Sequence, residues 1–114
     1  MSYTLPFSSI TMKDLKLVGG KNASLGEMIQ NLAQYNINVP DGFALTSDAF
    51  YEFLNSNKLD KLLNSKLDTL DISTLSNLSE IGSYCRTLVS KAVIPSSIKD
   101  ALKTEYRKMI SNYG

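Results

Sequence analysis

The chain has no histidine, one cysteine and three prolines in 114 residues. Without histidine it loses the commonest general base, the commonest metal ligand and any phosphohistidine chemistry of its own. The lone Cys85 excludes an internal disulfide and a multi-cysteine metal site, and suits a reducing cytoplasm. Nor is there an excess of one charge: twelve Lys and Arg against eleven Asp and Glu leave a net charge of +1. That balance offers no general pull on nucleic acid or anionic lipid, so neither is expected as a partner. No apolar run approaches the ~20 residues of a membrane span. Residues 1–16 lack the basic start and apolar centre of a signal peptide.

What is present is ordinary for a globular protein: 43% hydrophobic and 20% charged residues. The length allows one domain, or a piece of one. "YTLPFSSI" alternates aromatic and aliphatic residues until Pro6, which predicts a short edge strand around Tyr3–Leu5. "TMKDLKLVGG" reads as a turn and a short apolar approach to a glycine pair. From Asn22, Leu25, Met28, Ile29 and Leu32 fall at helical spacing on one stripe. Asn22 or Ser24 can cap that helix, and Ser24 with Glu27 has capping-box spacing.

Pro40-Asp41-Gly42 is turn chemistry, and Phe43–Thr46 a short apolar extension. Thr46 or Ser47 then caps a helix carrying Ala49, Phe50, Phe53 and Leu54, with Phe43, Phe50 and Phe53 read as core. Asparagines at 55 and 57 break it, and Leu59, Leu62, Leu63 and Leu67 mark the next helix. Ser73 or Thr74 starts a longer one with Leu75, Leu78, Ile81, Cys85, Leu88 and Val89 inward. Pro95 opens the last, along Ile98, Leu102, Tyr106, Met109 and Ile110. The expected class is α+β, mainly helical, with about five helices and two short strands. Two such strands need cover, from helices or from further strands.

Chemistry concentrates in "LVGGKNASLGEMI", residues 17–29. It is not a Walker A loop, because Leu15 and Asn22 stand where glycine and Ser or Thr are required. Nor do Gly19, Gly20 and Gly26 have dinucleotide-fingerprint spacing. Two readings stay open. Glycines admit close backbone approach, a helix start offers free N–H groups and Lys21 supplies charge, which together make a phosphate cradle. A lysine about 4 Å from a unit phosphate charge gains roughly 4 kcal/mol at an effective dielectric of 20, before desolvation. Alternatively, Gly-Gly-Lys is a tight turn with a solvated lysine. Elsewhere, Cys85 reads as a small core residue, Arg86 as solvated, and Asp14, Glu27, Asp41 and Asp48 as no metal or acid–base pair.

"VGGKNASLGEMIQNL" followed by "VPDGFALTSDAFYEFL" resembles the start of the phosphoenolpyruvate synthases, or pyruvate, water dikinases, of the PEP-utilising enzyme / pyruvate phosphate dikinase family. Pyruvate phosphate dikinases and rifampicin phosphotransferases share the broader pattern of Gly-Gly-Lys, helix and Val-Pro-x-Gly-Phe; "KNASLGEMI" leans toward the synthases. The likeness is specific over residues 17–54 and diffuse over 55–114. It implies that residues 1–114 are the N-terminal portion of an ATP-grasp-like nucleotide-binding domain, in which Lys21 contacts ATP phosphates and Gly19 and Gly20 shape the loop. The parent would be a gluconeogenic transferase, a cytoplasmic kinase that uses ATP, magnesium and pyruvate, with downstream phosphohistidine and pyruvate-binding domains.

Family members continue into an arginine-serine-serine segment and acidic metal ligands, which are absent from this chain. The resemblance therefore implies an N-terminal fragment, inactive alone, with no catalytic residue and no assignable metal ligand. The rival reading is a stand-alone helical interaction module with no catalytic role.

Overall fold

The two extended segments pair with each other in the computed structural model, which describes residues 2–113. Strand β1 (Thr4–Pro6) runs antiparallel to β2 (Phe43–Leu45), with Thr4 opposite Leu45, Leu5 opposite Ala44 and Pro6 opposite Phe43. Proline has no N–H to give, and it stands at the end of β1. The ribbon is extended by Phe7 N–H donating to the Gly42 carbonyl at 2.9 Å and Thr46 N–H donating to the Tyr3 carbonyl at 3.0 Å. Helices supply its cover: Ala44 shares a buried cluster with Ile10, Val18 and Ala23, against which Leu5 and Phe7 pack.

Six α-helices occur among the described residues: α1 (Leu15–Val18), α2 (Gly20–Ala33), α3 (Ser47–Ser56), α4 (Leu59–Leu67), α5 (Leu78–Lys91) and α6 (Ser96–Tyr113). Five match the expected set, and the α+β, mainly helical class holds. The addition is α1, one turn in the stretch read as turn and apolar approach. It follows two 3₁₀ turns, Phe7–Ser9 and Met12–Asp14. Thr11 caps the second of these: its hydroxyl accepts the Lys13 N–H at 3.2 Å, while Asp14 Oδ2 accepts the Thr11 N–H at 3.0 Å.

The chain divides into two compact units, Met1–Tyr51 with Ser96–Gly114, and Glu52–Pro95. In the first, α2 lies on the segment 7–14 by its small residues. Ala23 and Gly26 are buried while Leu25 and Met28 are exposed, which corrects the expected apolar stripe. The reason is distance: small side chains let two backbones approach where leucine and methionine would hold them apart. Thr46 starts α3, its hydroxyl accepting the Ala49 N–H at 3.4 Å and donating to the Ser2 carbonyl at 2.7 Å. Ala49 is buried, but Phe50, expected in the core, is exposed.

In the second unit α4 packs against α5, where Lys66 Nζ stands 4.8 Å from the centre of the Tyr84 ring. Asn57 and Val93 exchange two bonds, Nδ2 to the Val93 carbonyl at 2.7 Å and Val93 N–H to Oδ1 at 3.0 Å. Helix α5 begins four or more residues later than Ser73 or Thr74, because Asp71 and Asn77 claim that stretch. Asp71 accepts the Ser73 and Thr74 N–H groups, and Asn77 Oδ1 accepts the Asp71 N–H at 2.9 Å.

Candidate functional site

Gly19 stands between α1 and α2 with φ 83° and ψ 169°, a region that only glycine occupies readily. This corner ends one helix and starts the next. Gly19 N–H donates to the Leu15 carbonyl at 2.9 Å, and the first bond of α2 runs from Ala23 N–H to the Gly19 carbonyl at 3.0 Å. The N–H groups of Gly20, Lys21 and Asn22 therefore lie ahead of the helical ladder. No side chain caps them, and the first turn holds no acidic residue. Three aligned donors at the positive end of a 14-residue helix favour an anion.

Gly19, Gly20 and Lys21 are thus brought together at one corner, but in different states. Gly20 is already helical, two residues before the expected start, so the left-handed backbone belongs to Gly19 alone of the pair. Lys21 is exposed and pairs with no carboxylate; Lys108 with Glu105, at 3.5 Å, is the ion pair found among the described residues. Together with Met12, Gly20, Ser24, Leu25 and Met28, Lys21 lines an open depression of about 500 Å³. Its floor is apolar and its charge is a single cation.

The corner is held from behind by polar contacts that sequence periodicity does not show. Ser47 Oγ donates to the Lys16 carbonyl at 3.2 Å, tying α1 to the start of α3. Asn22 Nδ2 donates to the Val18 carbonyl at 2.8 Å. Gln30 Nε2 donates to the Ile10 carbonyl at 2.5 Å, and Glu27 Oε1 accepts the Met12 N–H at 2.9 Å. These bonds replace the capping expected of this helix. Asn22 is engaged backward with α1, Glu27 is engaged with Met12 and Asn31, and Ser24 lies exposed in the depression. Among the signals, only the polar identity of Glu27 and Gln30 on a partly apolar helix pointed to such roles.

The arrangement can hold an anion by charge and backbone donors. No group in it is placed as a nucleophile or general base. Arg86 lies on α5 in the other unit, and Cys85 on the same helix is a half-buried free thiol. Among the described residues no three Asp, Glu, Cys or His side chains gather as a metal site, and no helix is long and apolar enough to cross a membrane.

Residues 15–114 match the family model described as pyruvate phosphate dikinase, AMP/ATP-binding domain. The phosphoenolpyruvate synthase of Deinococcus radiodurans is 43% identical over 109 residues, covering 96% of this chain and 14% of the relative. That of Synechocystis is 38% identical over 108 residues, covering 95% of this chain and 13% of the relative. That of Escherichia coli K12 is 35% identical over 103 residues, covering 90% and 13%. The chain spans only 13–14% of the length of these relatives. The family match begins at the first residue of α1 and takes in the glycine corner, Lys21 and every helix described above; the chain belongs to the pyruvate phosphate dikinase AMP/ATP-binding domain family.

Proposed function

We propose that residues 1–114 form the N-terminal portion of an ATP-grasp-like nucleotide-binding domain and supply one wall of its ATP site. Lys21 neutralises ATP phosphates, and Gly19 and Gly20 let the start of α2 approach them. The observation that carries this reading is the juxtaposition of an unpaired Lys21 with an uncapped helix start, in a family whose domain binds AMP or ATP. Phosphoryl transfer depends mainly on positioning and charge neutralisation, and this corner suits both.

The parent reaction, taken from relatives that are phosphoenolpyruvate synthases, is ATP + pyruvate + water → AMP + phosphoenolpyruvate + phosphate. It is a cytoplasmic, gluconeogenic reaction in this reading. Phosphohistidine and pyruvate-binding domains of the parent are the partners. The chain has no histidine to phosphorylate, so alone it completes no turnover. Magnesium accompanies ATP in the parent, but no acidic cluster among the described residues fits the ion.

The test is Lys21→Ala in the full-length enzyme. ATP-driven phosphorylation of the histidine domain should fall by the ~10²–10³-fold typical of losing one electrostatic stabiliser. Phosphorylation of the same histidine by phosphoenolpyruvate uses another site and should persist. If both half-reactions survive unchanged, Lys21 is a solvated surface residue and the reading falls.

A further inference from the structure

Val18 ends α1 and stands four residues before Asn22. In an unbroken helix its carbonyl would accept the backbone N–H of Asn22. The turn at Gly19 removes that bond, and the side chain of the same residue makes it instead, Nδ2 to the Val18 carbonyl at 2.8 Å. Asn22 thereby uses its side-chain donor for the structure and keeps its backbone donor at the open helix start. Val18 is a buried residue and the bond itself is part-buried, so the Val18 carbonyl gains a partner that the helical ladder no longer supplies.

We infer that Asn22 is a positioning residue for the phosphate corner. Its amide spans the Gly19 turn and fixes the direction of the Gly20, Lys21 and Asn22 N–H groups relative to α1. The need is specific to this corner, because glycine has the widest backbone freedom of any residue. Without the strut, Gly19 is held by its own N–H bond to Leu15 and by the Ser47 contact to Lys16. Those contacts anchor α1; the Asn22 bond is a direct side-chain link from the first turn of α2 back to α1. Asn22 is not a catalytic residue in this scheme: its side chain acts through the backbone donors. The inference rests on the nucleotide reading proposed above.

The experiment compares Asn22→Leu, Asn22→Ala, Asn22→Gln and Lys21→Ala in the full-length enzyme. Asn22→Leu keeps the approximate shape without a donor, and Asn22→Ala removes the donor without adding bulk. Both should raise the KM for ATP roughly five- to tenfold, the scale of one net hydrogen bond. Phosphorylation of the histidine by phosphoenolpyruvate should be unchanged in both. Asn22→Gln retains the amide donor and should recover most of the ATP affinity. A wild-type KM for ATP in Asn22→Ala overturns the inference. So does an equal loss in both half-reactions with a lowered melting temperature, which marks a purely structural bond. If Lys21→Ala impairs the ATP reaction while the Asn22 variants do not, the positioning role falls and the nucleotide reading stands. If none of the variants affects ATP use, both fall.

Discussion

Gly26 lies so near Ile10 that a Cβ on it would stand 2.8 Å from the Ile10 Cβ and nearer still to the Ile10 carbonyl oxygen. Ile10 is fully buried, and its carbonyl also takes the Gln30 amide at 2.5 Å. The contact is backbone to backbone, so no flexible side-chain end can yield. Helix α2 is seated on the segment 7–14 at this point, and the seat orients the corner at Gly19, seven residues earlier.

Gly26→Ala should therefore destabilise the chain although alanine is the better helix former. Overpacking of this kind costs typically 1–3 kcal/mol, against a helix-propensity gain of at most about 1 kcal/mol. Urea unfolding of the variant should show a lowered midpoint. A midpoint equal to or above that of the unsubstituted chain would mean that α2 does not sit this close to Ile10.

This contact also marks the limit of what periodicity shows. Leu25, Met28, Ile29 and Leu32 announce a helix correctly, but the spacing cannot tell which face meets the rest of the fold. Two small residues, Ala23 and Gly26, carry the close contact and leave Leu25 and Met28 outside. Glu27 has capping-box spacing from Ser24, yet its partner is the Met12 N–H, 15 residues away. Asp71 and Asn77 likewise hold a loop where apolar spacing predicts the first turn of α5. The grouping of Gly19, Gly20 and Lys21 was legible because it is local in the chain. Which glycine adopts the left-handed backbone, and what braces it from behind, depends on residues that folding brings together.

The Asp71 loop gives a pH-dependent expectation. The Thr74 hydroxyl first, then the Thr74 N–H, hold the Asp71 carboxyl below its ordinary range; lost hydration opposes them by more than the Ser73 N–H, the weakest contributor, adds. A carboxyl whose folded pKa is depressed stabilises the fold at pH above its unfolded pKa. That contribution is lost as pH falls through the folded value. Asp71→Ala should therefore be less stable than the unsubstituted chain at neutral pH, with the gap narrowing as the solution becomes acidic. Thermal unfolding of both proteins from neutral to strongly acidic pH measures the gap; a constant or widening difference would contradict the assignment.

The two glycines before Lys21 look equivalent in the sequence, but only at Gly19 should alanine destabilise the fold. At Gly19 the backbone angles of 83° and 169° exclude an ordinary side chain, although nothing stands within 4 Å of a Cβ there. The penalty is backbone strain alone, about 1–3 kcal/mol. At Gly20 the backbone is helical, and a Cβ would meet Leu15 Cδ1 at 3.9 Å, an ordinary contact. Replacing glycine by alanine inside a helix gains roughly 0.5–1 kcal/mol, with less expected at this first position. Gly19→Ala should lower the thermal midpoint, and Gly20→Ala should hold or raise it. The nucleotide reading adds a second axis, because the new methyl at Gly20 stands beside the free N–H groups of α2. In the full-length enzyme, Gly20→Ala should weaken ATP use without weakening the fold, whereas Gly19→Ala should weaken both. If Gly19→Ala melts with the unsubstituted protein, the left-handed corner is not required; if Gly20→Ala binds ATP unchanged, the helix start does not approach the phosphates closely.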